Sequence, residues 1–189
     1  MNETATEKVS LRMQAWLVLA CGIAYFYAFE LNAYWFNHWL EFSRGANWIF
    51  IPSGLRLLFV LVLASTGATG IALGSVAINY SFGDPNAHVF TIVTGVISGA
   101  APYLARYLST TWLKLDTQLT NLTSRAFFKV SILFAVANAL MHQVWFYWIG
   151  HTENFVGSLT AMTVGDWLGS VLVLATASLC IKLCKIKPE

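Results

Sequence analysis

The chain has 189 residues, of which 57% are apolar and 11% charged, with a formal net charge of +2. A soluble domain carries roughly 25% charged residues to keep its surface wet, and disordered chains are poor in apolar residues. Both classes are excluded, which leaves an integral membrane protein. At roughly 20 apolar residues per helical span, there is length for about six or seven spans and none for a sizeable soluble domain. So small a net charge gives no reason to expect a nucleic-acid partner.

Residues 1–10 are polar and read as a tail. The first span covers about 11–36, and its far end carries Tyr34, Trp35 and Trp39, the aromatic belt of a membrane surface. Val18-Leu19-Ala20-Cys21-Gly22 resembles a lipoprotein cleavage box, but the apolar run continues through Ile23, Tyr25, Phe26 and Phe29. A removable signal has a short core and a polar exit, so an uncleaved span is expected. The stretch from Trp48 to Tyr80, with Arg56 as its one charge, is too long for one span and short for two. Ser65-Thr66-Gly67-Ala68-Thr69-Gly70 divides it into spans of about 47–65 and 67–80. A turn at 81–86 precedes a fourth span of about 88–108, and a polar stretch at 109–125 holds the sequon-like Asn121-Leu122-Thr123. The fifth span, about 126–149, ends in Trp145, Tyr147 and Trp148; the sixth, about 155–183, leads to a tail at 184–189. Cys180 and Cys184, beside Lys182 and Lys185, read as a reduced pair with too few neighbouring ligands for a metal.

Basic residues orient the bundle, because loops rich in Lys and Arg stay in the cytoplasm. With six spans, the N-terminus, the loop after span four and the C-terminus share one side. They carry Lys8 and Arg12, then Arg106, Lys114, Arg125 and Lys129, then Lys182, Lys185 and Lys187; only Arg44 and Arg56 lie elsewhere. Both termini are therefore expected in the cytoplasm. A five-span version, with 65–80 re-entrant, puts the N-terminus outside, against Lys8 and Arg12. The small-residue pairs Gly70–Gly74, Gly95–Gly99 and Gly165–Gly169 suit close helix contacts within one bundle. A homodimer through one such face is the other reading.

Ionisable side chains inside a bilayer cost at least about 2.5 kcal/mol each and mark candidate sites. Glu30, Arg56, His142 and Asp166 qualify. At 1.5 Å per residue they sit roughly 9, 13, 10 and 16 Å below the outer surface, on four different spans. Helical spacing gives them polar company: Ser131, Asn138 and His142; Thr163, Asp166 and Ser170; Thr91, Thr94 and Ser98; Tyr27, Glu30 and Tyr34. Turned inward, these stripes surround a cavity open to the outside. The plainer alternative is a structural ion pair of Arg56 with Asp166 or Glu30. No H-E-x-x-H, nucleophile elbow or nucleotide loop is present, so neither an enzyme, a cofactor nor a metal is expected.

Two runs resemble a known family. Trp48-Ile49-Phe50-Ile51-Pro52-Ser53-Gly54-Leu55-Arg56-Leu57-Leu58 resembles the W-x-P-P-[AS]-G motif that opens a helix in the bacterial MASE1 membrane sensory domains, with one of its two prolines present. Val164-Gly165-Asp166-Trp167-Leu168-Gly169-Ser170 resembles their W-x-G-D-x-x-G motif in the last helix. The resemblance spans Trp48 to Leu183 and implies a membrane module that perceives a ligand, with Arg56 and Asp166 as the matching polar positions. That domain is usually joined to a histidine kinase or a diguanylate cyclase. Nothing follows Glu189, so the resemblance implies a free-standing module.

The expected fold is an all-α bundle of about six transmembrane helices in the lipid bilayer, and the resemblance implies the inner membrane of a bacterium. The expected function is a sensory or small-ligand-binding module that signals to a separate kinase or cyclase. Its small ligand, of unspecified identity, meets Arg56, Asp166, His142, Asn138 and Glu30. The alternative is a small transporter, or a substrate-binding transport subunit with an ATPase partner, using the same pocket.

Overall fold

The computed structural model describes residues 10–43, 45–84, 86–116 and 123–185, apart from the side chains at 178 and 180–185. The tail at 1–9, Arg44, Asn121, Leu122, the side chains of Cys180, Lys182, Cys184 and Lys185, and Lys187 lie outside the described residues. Among those described are six helices, α1 (Leu11–Leu40), α2 (Ile51–Leu63), α3 (Ser65–Phe82), α4 (His88–Trp112), α5 (Ser124–Trp148) and α6 (Phe155–Lys185). A two-stranded antiparallel hairpin, β1 (Glu41–Ser43) with β2 (Ala46–Asn47), joins α1 to α2. Contacts close a ring in the order α1, α3, α4, α5, α6, α2, and α2 also reaches across to α3 and α4.

The burial pattern is that of a protein in lipid. Along α4, Val89, Ile92, Val96, Tyr103, Leu104 and Tyr107 face outward, while Thr91, Thr94, Gly95, Ser98, Gly99, Ala101 and Pro102 are buried. Water would select the reverse arrangement. A bilayer permits it, because helix association there depends on close contact between small residues. Among the described residues, four helices are long and apolar enough to cross a membrane: Leu11–Leu40, His88–Trp112, Ser124–Trp148 and Phe155–Ala177.

The glycine pairs supply the close contacts. A Cβ on Gly22 would stand 3.0 Å from the Gly70 carbonyl oxygen, and one on Gly74 would stand 2.7 Å from that of Gly22, so α1 and α3 meet backbone to backbone. Gly95 and Gly99 play the same part between α4 and α3, where a Cβ would run into Val76 and the Ala68 carbonyl. Gly165 and Gly169 on α6 lie in the same way against the Asn47 and Phe50 carbonyls, so all three pairs are used inside one chain.

The stretch between Trp48 and Tyr80 differs from expectation in two ways. Residues 47–50 are not helical, and α2 begins only at Ile51, where Pro52 suits a first turn that has no use for its own N–H. The buried Asn32 on α1 accepts the Ile51 N–H at 3.0 Å, satisfying one free donor of that turn. At 13 residues, about 20 Å, α2 alone falls short of the roughly 30 Å of a bilayer core. The chain then reverses at Ala64 alone, with φ at 50°, not within the following Ser-Thr-Gly run. Those small residues instead open α3, where Gly67 lies against the Phe59 carbonyl. Arg106 from α4 donates to the Val60 and Leu61 carbonyl oxygens, capping the end of α2 where a cation also meets the helix dipole.

The described residues of the connections 41–50, 83–87 and 149–154 meet around one pocket. Toward the opposite end of the bundle, Leu57, Leu61, Ala105, Leu115, Phe127, Val130 and Phe134 pack into an apolar cluster.

Candidate functional site

A cavity of about 790 Å³ enters between the gathered loops. Glu41, Gly45, Gly83, Asp84, Ala87 and His151 form its mouth, and Arg56, Ser75, Ser98 and His142 lie at its floor. Phe29 packs edge-on to Phe50 and against Phe82 on one wall; Phe90 stacks on Phe146, and His151 sits against both, on the other.

The floor is built around Arg56, which is only 2% exposed. Pro102 has no N–H, so the Ser98 carbonyl one turn earlier loses its helical partner. Arg56 takes that place: Nε and Nη2 donate to the Ser98 oxygen at 3.3 and 2.9 Å. Nη2 also donates to Asn138 Oδ1 at 2.5 Å. The guanidinium carbon lies 5.9 Å from the Tyr25 ring centre and 5.6 Å from that of Phe134, within cation–π range on both sides. Nη1 takes no part in these bonds and is the guanidinium nitrogen left for a group in the cavity.

Asn138 turns its amide the other way. Its Nδ2 donates to Asp166 Oδ2 at 2.5 Å, and Asp166 Oδ1 has no hydrogen-bond partner. Arg56 and Asp166 therefore balance each other through an amide bridge. The Asn138 carbonyl can only accept, so His142 Nδ1 carries a proton toward it at 3.0 Å. That tautomer leaves Nε2 as the acceptor for the Ser98 hydroxyl at 3.3 Å, while Ser75 donates to Ser98 at 2.9 Å. One network thus ties α2, α3, α4, α5 and α6 together.

The two runs that resemble the MASE1 motifs meet in space. Phe50 N–H donates to the Gly165 carbonyl oxygen at 3.2 Å, and Ser53 Oγ lies 2.8 Å from the Asp166 carbonyl oxygen. A Cβ on Gly165 or Gly169 would run into the Asn47 or Phe50 carbonyl oxygen respectively. The glycines let the extended segment 47–50 lie directly on α6, which places Asp166 beneath the start of α2.

Compared with known proteins, the chain matches no family model, no curated protein and no solved structure. The structure is an all-α bundle of the kind a polytopic membrane domain forms, with an internal polar network suited to accommodating a ligand.

Of the residues singled out in the sequence, Arg56, Asn138, His142 and Asp166 come together in that network. Arg56 and His142 face the cavity, whereas Asn138 and Asp166 stand behind them and are not part of its lining. Glu30 is half-buried on α1, outside the network and the lining. The stripe that held it points the wrong way for a cavity, since Tyr27 and Tyr34 are exposed. The inward face of α1 is instead Cys21, Gly22, Tyr25 and Asn32. Tyr25, Ser75 and Asn79 line the cavity without having been picked out. The signals that mark them are Tyr25 one turn after Cys21, and Asn79 one turn after Ser75.

Proposed function

We propose that the chain is a MASE1-like sensory or small-ligand-binding module of a bacterial inner membrane, with both termini cytoplasmic and the cavity mouth facing the periplasm. The observation that carries this reading is the cavity ending on a buried arginine whose Nη1 is left unengaged. The orientation rests on the basic residues, which concentrate on the side opposite the mouth. A group drawn to Arg56 competes with the Ser98 carbonyl and Asn138 for the guanidinium. Because Asn138 also holds Asp166, that competition bears on the packing of α2 against α5 and α6. A ligand shifts a conformational equilibrium only as far as it binds the two states differently, and this shared arginine supplies such a difference. A separate kinase or cyclase would read the result at the cytoplasmic face. Transport through the same pocket, with or without an ATPase, needs a path past the apolar seal of Leu57, Leu61, Leu115 and Phe127, which favours sensing.

The test is a thermal-shift screen of the detergent-purified chain against water-soluble metabolites and inorganic anions. At least one anion is expected to raise the unfolding temperature of the native chain and to have no effect on Arg56→Gln. A screen in which every stabilising compound acts equally on both proteins would contradict the reading.

A further inference from the structure

Granting that the cavity is a binding site, its chemistry narrows what it holds. Arg56, Ser75, Ser98 and His142 converge at the floor, and Asn79 and Thr94, one turn above on α3 and α4, are already bonded to the Ser75 carbonyl and the Trp145 indole. The rest of the wall is mainly the rings of Phe29, Phe50, Phe82, Phe90 and Phe146, against which the hydroxyls of a neutral polyol would stay unpaired. A cation would meet a buried guanidinium at the floor. Arg56 is the one arginine among the described lining residues, which include no lysine, and Glu41 and Asp84 stand at the mouth. Those carboxylates repel every negative charge a ligand carries, and Arg56, whose charge is partly answered by Asp166 through Asn138, has a free N–H for one carboxylate and none for a second negative group. We propose that the ligand is a monocarboxylate with an apolar body. Its carboxylate meets Arg56 Nη1 end-on, since Nε and Nη2 are held by Ser98 and Asn138. Its body lies between the Phe29–Phe50–Phe82 wall and the Phe90–Phe146 wall. Pockets of roughly 300–1,000 Å³ take ligands of this kind, apolar around a few oriented polar groups.

The carboxylate could come from the membrane, as a fatty acid, or from water, as a small aromatic acid, and the experiment separates the two. The full chain, reconstituted in phosphatidylcholine nanodiscs, is titrated with palmitate, 3-phenylpropionate, 3-phenylpropanol, 3-phenylpropylamine and inorganic phosphate, with binding read calorimetrically. One of the two carboxylates is expected to bind at least tenfold tighter than the alcohol, the amine and phosphate, and the one that does names the source. Arg56→Gln should remove that preference. Ala87→Trp, which fills the mouth without touching the network, should abolish binding. Equal binding of acid, alcohol and amine, lost in Ala87→Trp, would overturn the monocarboxylate and leave the cavity as a binding site. Binding of no probe, or binding that Ala87→Trp leaves unchanged, would overturn both.

Discussion

Gly169→Leu is expected to prevent assembly of the native bundle, and Gly169→Ala to weaken it by about 1–3 kcal/mol, the usual cost of overpacking a tight contact. The reason is local. Even one methyl group at Gly169 would occupy the position of the Phe50 carbonyl oxygen and come within 2.7 Å of Ser53 Oγ. Phe50 belongs to a segment whose N–H is already bonded to Gly165, so it cannot retreat without losing that bond. Displacing it also pulls Ser53 from the Asp166 carbonyl and tilts the start of α2, which carries Arg56. Thermal unfolding in detergent checks this, with Val96→Leu as a lipid-facing control that should remain near the native value. A Gly169→Leu chain as stable as that control would mean that α2 and α6 do not meet as described.

The second large effect concerns the charges. Arg56→Ala removes the partner of the Ser98 carbonyl, of Asn138 Oδ1 and, through Asn138, of Asp166, which is only 1% exposed. Breaking a buried charge arrangement from one side typically costs about 3–5 kcal/mol, because the other charge stays buried and uncompensated. Asp166→Leu should be costly for the mirror reason. The double variant Arg56→Ala with Asp166→Leu should then be less damaging than the two single losses added together, by about 1 kcal/mol or more. A double-mutant cycle on unfolding temperature or denaturant midpoint measures this. Strict additivity would mean that Asn138 does not couple the two charges.

Much of the bundle was legible because membrane helices announce themselves by length and by their ends. The aromatic belt in the last two turns of α1, the turn residues that follow Phe82 and the polar residues that follow Trp112 all lie where one helix gives way to the next segment. The polar stripes of α4, α5 and α6 were legible in direction as well, since Thr, Ser, Asn and Asp have no favourable partner in lipid and must turn inward. The α1 stripe misled for a related reason. Tyrosine is at home in lipid or at its surface, so Tyr27 and Tyr34 carry no information about which face is buried. A bilayer also removes the hydrophobic contrast that would show it in water. The start of α2 was hidden because residues 47–50 are as apolar as a helix, and what holds them extended is two glycines on α6, more than a hundred residues away. Pro102 was the least conspicuous signal and the most informative in hindsight. A proline in mid-span frees the carbonyl four residues before it, and here that carbonyl receives the buried arginine.

A water-accessible cavity that opens on one side of the membrane and ends at Arg56 should admit a small reagent from that side alone. Ser75→Cys and Lys114→Cys are made separately in a chain whose own cysteines are replaced by serine, and each is exposed in intact cells to a membrane-impermeant, anionic thiol reagent. Ser75→Cys is predicted to react from outside, more slowly when combined with Arg56→Gln, while Lys114→Cys stays unmodified until the membrane is opened. Labelling of Lys114→Cys from outside, with Ser75→Cys inert even after the membrane is opened, would contradict both the orientation and the cavity.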